Sequence, residues 1–485
     1  MPNVNSRPAL VVLLGVTFSA CTSPETADAP SLRAPIEQAY VFAEARTLAA
    51  VDELARGNPA GFASRYPVET KATDLDLGRW VVRDVEDWRS GFFPGVLWEL
   101  HRETGDPALR AHAIAWTQGI AALQDRPIDH DLGFRFVPTF GQALLVAIEG
   151  IDPAGALGAL KTLERAAFAL DRLFDAGGTS VGAYRAFEVS NDYLAPYPTY
   201  MDSMMNVELP LLVWDLAGKP AAGPIRDLYE HAVTHARTVL AEHVRPDGST
   251  YHIVQHVEAP GARAGQIHAK ISDQGFAAES TWSRGQAWAL HGFTTTYRLT
   301  RDNPAAAELF LDAARRTADY FINHLPHHFT ANPYNHVPGD FVPPTDFDAA
   351  LGEPAGPWND ANRDGVLGDR RPGTHVFTPR DSSAAAVAAS GLLELGTLVE
   401  DPALRARYLG AAEDILHSLL TARGPDGARL YLAVDSPHRG ILARGARAYG
   451  SPQQSLAYGD HYFLEAMRRC LSLEAREGEV RRCGR

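Results

Sequence analysis

Cysteine is scarce in this chain, three residues in 485. That argues against a disulfide-built scaffold and against a structural zinc site. Positive charge is the minority sign: 45 Lys and Arg face 59 Asp and Glu, for a formal net charge of -14. Such a balance lacks the basic footprint that phosphate backbones need, which excludes nucleic acid as the main partner. An acidic ligand would have to be met by a local patch of Arg, His and amide donors. Past the N-terminal segment, no apolar run approaches the ~20 residues that cross a bilayer. Strand-like alternation is confined to two short stretches, near 132–137 and 251–255, and no fixed internal period marks a repeat solenoid.

The first 21 residues read as a targeting segment. Arg7 gives a basic start, Ala9 to Phe18 form an apolar run too short to span a membrane, and Ser19 and Ala20 lead to Cys21. The pattern is that of a bacterial lipoprotein signal with Cys21 as the lipidated residue, although Phe18 departs from the aliphatic residue favoured there. A plain secretory signal cut near Ala20 is the alternative. Either reading exports the protein, to the periplasm or to the outer membrane through the lipid. Residues 22–30 read as a polar tether, and 31–485 as one domain without an internal linker. Cys470 and Cys483 remain, in a compartment that permits a bridge between them; sequence alone does not pair them.

What the chain has in abundance is helical periodicity. Segment 33–57 carries Ile36, Ala39, Tyr40, Ala43, Leu48, Val51 and Leu54 at spacings of three and four. Similar segments recur near 92–104, 106–123, 138–149, 154–173, 203–217, 222–242, 284–299, 303–324, 382–399, 401–420 and 454–473. Several open on Asp-Pro or Asn-Pro, a capping residue followed by a proline suited to the first turn: Asp106-Pro107, Asp152-Pro153, Asn303-Pro304 and Asp401-Pro402. About twelve helices, alternating between longer Ala-rich ones and shorter ones entered through aromatic loops, are what an all-α, α/α toroid requires.

Five clusters join acids, aromatics and glycines at helix entrances. They are Asp87-Trp88-Arg89-Ser90-Gly91, His130-Asp131-Leu132-Gly133-Phe134, Met201-Asp202-Ser203-Met204-Met205-Asn206, Ser280-Thr281-Trp282-Ser283-Arg284-Gly285-Gln286-Ala287-Trp288, and Arg380-Asp381-Ser382-Ser383. Singly, each has a structural explanation: Asp202 or Asp381 as a helix cap, His130-Asp131 as a turn, a lone Trp as core. Together, two carboxylates at separate helix entrances with tryptophans nearby make a carbohydrate site. Indole faces stack on sugar rings, and paired carboxyls run glycosidic chemistry near neutral pH.

In wording and order these clusters, with Ser455-Leu456-Ala457-Tyr458-Gly459-Asp460-His461, resemble glycoside hydrolase family 88, the unsaturated glucuronyl hydrolases. The resemblance implies an (α/α)6 barrel and a substrate bearing a Δ4,5-unsaturated uronic acid, left by a polysaccharide lyase. It implies a reaction by hydration of the vinyl ether: a proton to C4, water to C5, then collapse of the hemiketal. No cofactor is implied. On the family pattern Asp202 matches the proton donor and water-activating base, and Asp131 the second catalytic carboxylate. His252 and Gln274 match substrate-site residues, Trp88 and Trp288 the aromatic lining, Arg284 the partner of a substrate carboxylate, and His130 an orienting group. An unsaturated rhamnogalacturonyl hydrolase of family 105 and a non-catalytic glycan-binding lipoprotein are the competing readings.

Residues ~325–380 form the longest stretch without periodicity, placed by a toroid over one mouth. Within it Asp360, Asn362, Asp364 and Gly365 open like a calcium loop, with Asp369 in place of the usual final glutamate and Arg371 at the twelfth position. The segment reads equally as a structural calcium site or as a polar turn. His324, His327 and His328 read as surface histidines rather than ligands.

Overall fold

Six helical segments are buried on most sides and six on one stripe, and that difference sorts them into two rings. The computed structural model describes residues 31–57, 62–72, 76–150, 156–175, 181–187, 197–257, 262–326, 340–350, 379–424, 426–473 and 483. The export segment with Cys21, the tether, the loop residues Asp360, Asn362, Asp364 and Asp369, and His327 and His328 lie outside these residues.

The inner ring is made by Phe92–Thr104, the run 132–148, the pair Ser203–Asn206 and Glu208–Leu216, Ser283–Thr300, Ser382–Leu398 and Ala457–Ser472. These segments neighbour one another in order, and the last packs back on the first, closing the circle. The outer ring is Arg33–Gly57, Pro107–Ile120, Ala156–Asp171, Pro224–His243, Pro304–Asn323 and Pro402–Thr421. This is the (α/α)6 barrel. Ser382–Gly396 is buried at every position, which small residues such as Ala384 to Ala386, Ala388 and Ala389 make feasible between two neighbouring helices. Pro304–Asn323 instead buries a stripe of Ala306, Phe310, Ala313, Ala314, Thr317 and Phe321. One contiguous buried apolar cluster runs from Leu32 to Cys483; each fully buried Leu or Phe in it contributes about 1.5–3 kcal/mol.

Local chemistry sets the helix starts. Asp106 accepts a bond from Ala108 N, Asn303 from Ala306 N, and Asp401 from both Ala403 N and Leu404 N, each just ahead of a first-turn proline. Cys470 and Cys483 form a disulfide that ties the C-terminal segment to the last inner helix.

The segment 132–137, expected to be a strand, is helical: Leu132–Phe136 runs into a π-turn at Val137–Gly141 and on to Gln142–Ile148. Its alternation of Leu132, Phe134 and Phe136 with other residues does not separate two faces, because Gly133 and Arg135 are buried too. Arg135 is held inside by Asp129 and by the carbonyls of Glu86 and Asp87. The other expected strand exists, as Ile253–His256.

A cavity of about 280 Å³ occupies the barrel where the inner helices end. It is lined by charged groups including Glu208, Arg298, Glu394, Glu465, Arg468 and Arg469. They neutralise one another: Arg298 and Arg469 both bond to Glu394, and Arg468 bonds to the fully buried Glu99. Asp131 and Asp202 are not among its lining residues; they precede the helices at the opposite end.

Close approach between inner helices depends on glycine at one crossing in particular. A Cβ at Gly292 would lie 2.6 Å from the Met204 carbonyl oxygen. Gly292→Ala is expected to destabilise by about 1–3 kcal/mol, read as a lowered thermal midpoint. Gly410, on an outer helix with nothing within 4 Å, is the control; Gly410→Ala should leave the midpoint unchanged or raise it by about 0.5–1 kcal/mol equivalent.

Candidate active site

A three-stranded antiparallel sheet, Tyr197–Tyr200, Ile253–His256 and Ile267–Ile271, lies at the entrance end of the inner ring. Its register pairs Tyr200 with Ile253 and Ile253 with Ile271. One edge of the sheet therefore delivers Asp202 after the first strand, His252 before the second and Asp273 after the third. Met201 N donates to the His252 carbonyl, fixing the first two of these segments side by side.

Asp131 and Asp202 each precede an inner helix, in the position where Asp381 caps its own helix by accepting from Ser383 N. Neither accepts a hydrogen bond from its helix. Their carboxylates are released from that structural task. Asn206, one turn beyond Asp202, joins them: its Nδ2 donates to Asp131 Oδ1 at 3.0 Å and to the Asp202 carbonyl at 3.3 Å, while its Oδ1 accepts from Phe134 N at 2.7 Å. This close approach requires Gly133, where a Cβ would lie 2.5 Å from Asn206 Cα. Both carboxylate side chains keep 13% exposure, enough for a guest to reach them.

Burial pushes the Asp131 carboxyl up to about 6, opposed by His130 and reinforced by Asp129. Burial, then the Asp131 charge, pushes Asp202 well above the ordinary carboxylate range, with Arg284 opposing. Asp202 is thus the group of the pair whose surroundings most favour the protonated form. His252 is driven down to about 4 by burial, against the pull of Asp273, and is neutral there. Asp202 Oδ1, His252 Nε2 and His130 Nδ1 are buried and find no hydrogen-bond partner among the described residues. Polar atoms left so in a buried site have hydrogen-bonding capacity for a ligand.

The ring of His252 stands between two acids. Its Nδ1 lies 3.2 Å from Asp273 Oδ1 and 3.2 Å from Ser272 Oγ, and its Nε2 lies 4.0 Å from Asp202 Oδ2. A neutral imidazole with its proton on Nδ1, on the side of Ser272 Oγ and Asp273, presents a lone pair at Nε2 on the side of Asp202. His130 Nε2 lies 3.3 Å from Asp131 Oδ1, with its ring edge-on to Tyr200. Asp273, Asn206 and Asp129 were not among the residues the sequence singled out for the site. The helical spacing of Asn206 from Asp202 was a usable signal; Asp273 enters through strand pairing, which leaves no local mark.

The aromatic residues separate into a wall and its backing. Trp88 is half-buried and stacks on Tyr458 at 5.5 Å, with Phe134 at 5.6 Å. Trp288 is 1% exposed and packs against Phe134, Tyr458 and Tyr462. Arg284, also 1% exposed, spends its guanidinium on protein acceptors: Asp381 Oδ2, Gln274 Oε1 and the carbonyls of Ala446 and Arg447. It lies over the ring of Trp282 at 4.4 Å. Gln274 is in this way held by Arg284, and Arg284 ties three loops together beside the acids.

Among the described residues no cluster of His, Cys, Asp and Glu has the make-up of a metal site. His324 stacks on Tyr320 and bonds to its carbonyl.

The electrostatics give a signed outcome. The Asp131 charge raises the Asp202 pKa, so Asp131→Asn should lower it, and carboxyl-resolved infrared or ¹³C titration should find Asp202 ionising at lower pH. Gly133→Ala should force the two helix entrances apart and cut turnover by roughly tenfold or more while the protein stays folded, because a misplacement of ~1 Å in such a site costs up to 10²-fold.

No family model matches the chain. A curated relative from Formosa agariphila, named unsaturated glucuronyl hydrolase, is 29% identical over 469 residues, covering 95% of this chain and 97% of the relative. A solved unsaturated glucuronyl hydrolase specific for heparin is 30% identical, with a TM-score of 0.65, covering 89% of this chain and 97% of its own. A second similar structure, an Asp-to-Asn variant of such an enzyme with the saccharide dGlcA-Glc-Rha-Glc, is 25% identical with a TM-score of 0.64, covering 88% and 96%. The chain belongs to the unsaturated glucuronyl hydrolases, glycoside hydrolase family 88.

Proposed function

We propose that Asp202 is the acid–base group, and Asp131 its electrostatic partner, in an enzyme that releases a Δ4,5-unsaturated uronic acid from the non-reducing end of polysaccharide-lyase products. The observation that carries this is the placement of two buried aspartates side by side, with Asn206 bonding the Asp131 carboxylate and the Asp202 backbone carbonyl and leaving the Asp202 carboxyl where burial and the Asp131 charge favour its protonated form. Protonated Asp202 delivers its proton to C4 of the unsaturated ring. Positive charge develops at C5 and the ring oxygen, and the Asp131 carboxylate stabilises it. The Asp202 carboxylate then takes a proton from water as the oxygen adds to C5, which restores the acid. The resulting hemiketal opens, and the leaving sugar departs from C1 as an alcohol. Side chains and water account for every proton moved.

His252, Gln274 and Trp88 are assigned to substrate contact, and His130 to orienting Asp131. His252 Nε2 has the lone pair to accept a sugar hydroxyl, and Trp88 a half-open face to stack on the ring. Arg284 attracts the uronate carboxylate through its charge, and it also holds Gln274 in place. Trp288 supports Phe134 and Tyr458 at the wall.

Export as a lipoprotein through Cys21 forms part of the same reading. The Cys470–Cys483 bridge supports it, since such bridges persist in oxidising compartments. A structural calcium at Asp360, Asn362, Asp364 and Asp369 rests on the spacing of those residues alone. Chelation should lower the thermal midpoint and strip bound calcium; unchanged values for both remove that element.

The wild-type protein should abolish the ultraviolet absorbance of an unsaturated glucuronyl disaccharide. Asp202→Asn should keep saccharide binding and lose turnover by about 10²–10⁴-fold. In the wild type, activity should fall as pH rises through the Asp202 pKa, since the proton donor is lost there. In Asp131→Asn the residual activity should fall at lower pH. Binding without turnover in the wild type would refute the enzyme assignment.

A further inference from the structure

On the outer ring of the barrel, toward the C-terminal end of the helix Arg33–Gly57, the structure holds a further concave site of unusual charge. A cleft of about 510 Å³ is lined by Arg46, Arg56, Arg79 and Arg439, with Glu53 as its one acidic lining residue. In a chain of net charge -14, four guanidinium groups around one small cleft are a strong local reversal of sign.

The cleft is built rather than incidental. Arg46, Ala49, Ala50, Glu53 and Arg56 share one face of the helix Arg33–Gly57, at spacings of three and four. The two alanines keep the floor low, and the flanking arginines form its sides. Glu53 fixes two of the guanidinium groups, bonding to Arg79 Nε at 2.9 Å and pairing with Arg439. Arg46 donates to the Ala433 carbonyl and lies over the Phe42 ring. Arg56 bonds only to the carbonyl of Asp52 and makes no ion pair among the described residues. Arg79 also reaches Asp76, which Lys71 neutralises in turn. The charge left uncompensated is positive, and the guanidinium groups are held in place. Planar forks so fixed suit carboxylate and sulfate oxygens.

Its placement links it to the catalytic end. Arg439 N donates to the Gly78 carbonyl, which joins the turn carrying Arg79 to the loop carrying Arg439. Further along that same loop, the carbonyls of Ala446 and Arg447 bind Arg284 beside the catalytic acids.

We infer that this cleft is a second glycan site, which holds a sulfated or carboxylated sugar unit of an acidic oligosaccharide by its anionic groups, apart from the site that cleaves the unsaturated end. The inference rests on the proposed function for the saccharide class; the site itself rests on the four arginines. A cleft of this volume is of the size that encloses small ligands. Its role is retention of longer chains near an enzyme that consumes them from one end.

The probe is a saturated, sulfated chondroitin tetrasaccharide, which lacks the reactive ring. Its affinity for the full-length protein is measured by calorimetry at low and at physiological salt. Two variants separate charge from shape. Arg56→Glu with Arg79→Glu reverses charge at the rim. Ala49→Trp fills the cleft and leaves every charge in place; Ala49 is exposed, so the fold tolerates it. Wild type should bind, more weakly at higher salt, and each variant should bind about tenfold more weakly, the equivalent of 1.4 kcal/mol. Turnover of an unsaturated disaccharide should be unchanged in both variants, which also certifies their folding.

The inference is overturned if the wild type does not bind the probe, or if both variants bind it like the wild type. It is equally overturned if only the charge reversal weakens binding, since that marks diffuse attraction rather than this cleft. Failure of the wild type to turn over the unsaturated disaccharide would sink the proposed function instead, and the binding results would still be read separately.

Discussion

Two carboxyl groups taken out of water beside each other cannot both ionise cheaply, and the rest of the molecule is arranged around that fact. Asp202 carries the cost as a raised affinity for its proton, and Asp131 ionises more readily, helped by His130 and Asn206. Arg284, the buried cation that acts on Asp202, is largely occupied by Asp381 and loop carbonyls, and so opposes the effect without cancelling it. A guanidinium group left free at this place would favour the ionised form of Asp202 and work against its role as an acid.

The barrel supplies the enclosure that makes such burial possible. Six inner helices, packed shoulder to shoulder through alanines and glycines, direct their starts toward one end. The two aspartates belong to segments that precede these helices, so their backbones are held by helices while neither side chain caps one: Asp131 is met by Asn206 and His130, and Asp202 Oδ1 has no partner among the described residues. Asp106, Asp381 and Asp401 occupy comparable positions and spend their carboxylates on helix N–H groups. The contrast separates the capping aspartates from Asp131 and Asp202 more sharply than burial does. At the far end of the ring, charge is handled differently: Glu99, Glu394 and Glu465 are each matched by arginines, so that burial there is made tolerable by pairing.

The helices were legible in the sequence because a helix declares itself within a few turns. Spacings of three and four placed all twelve, and Asp-Pro and Asn-Pro steps located several starts within a residue or so. The exceptions are informative. Residues 132–137 alternate like a strand, but an inner segment is buried all round, so alternation there separates no faces. Segment 203–217 is two helices broken at Val207, a local departure from regularity that apolar periodicity does not register.

Sequence by itself determined the helical ring and the family, and it singled out two aspartates, since each depends on residues close together in the chain or on wording carried along it. Tertiary structure alone decided which aspartates are free and which are caps, that Arg284 is committed to Asp381 and Gln274, and that Asp273 stands behind His252. It also brought Arg439 to a helix face hundreds of residues earlier in the chain. The reason is physical. A proton's position depends on charges and burial within a few ångströms, and the strand register and helix closure that set those distances join parts of the chain that no local pattern connects.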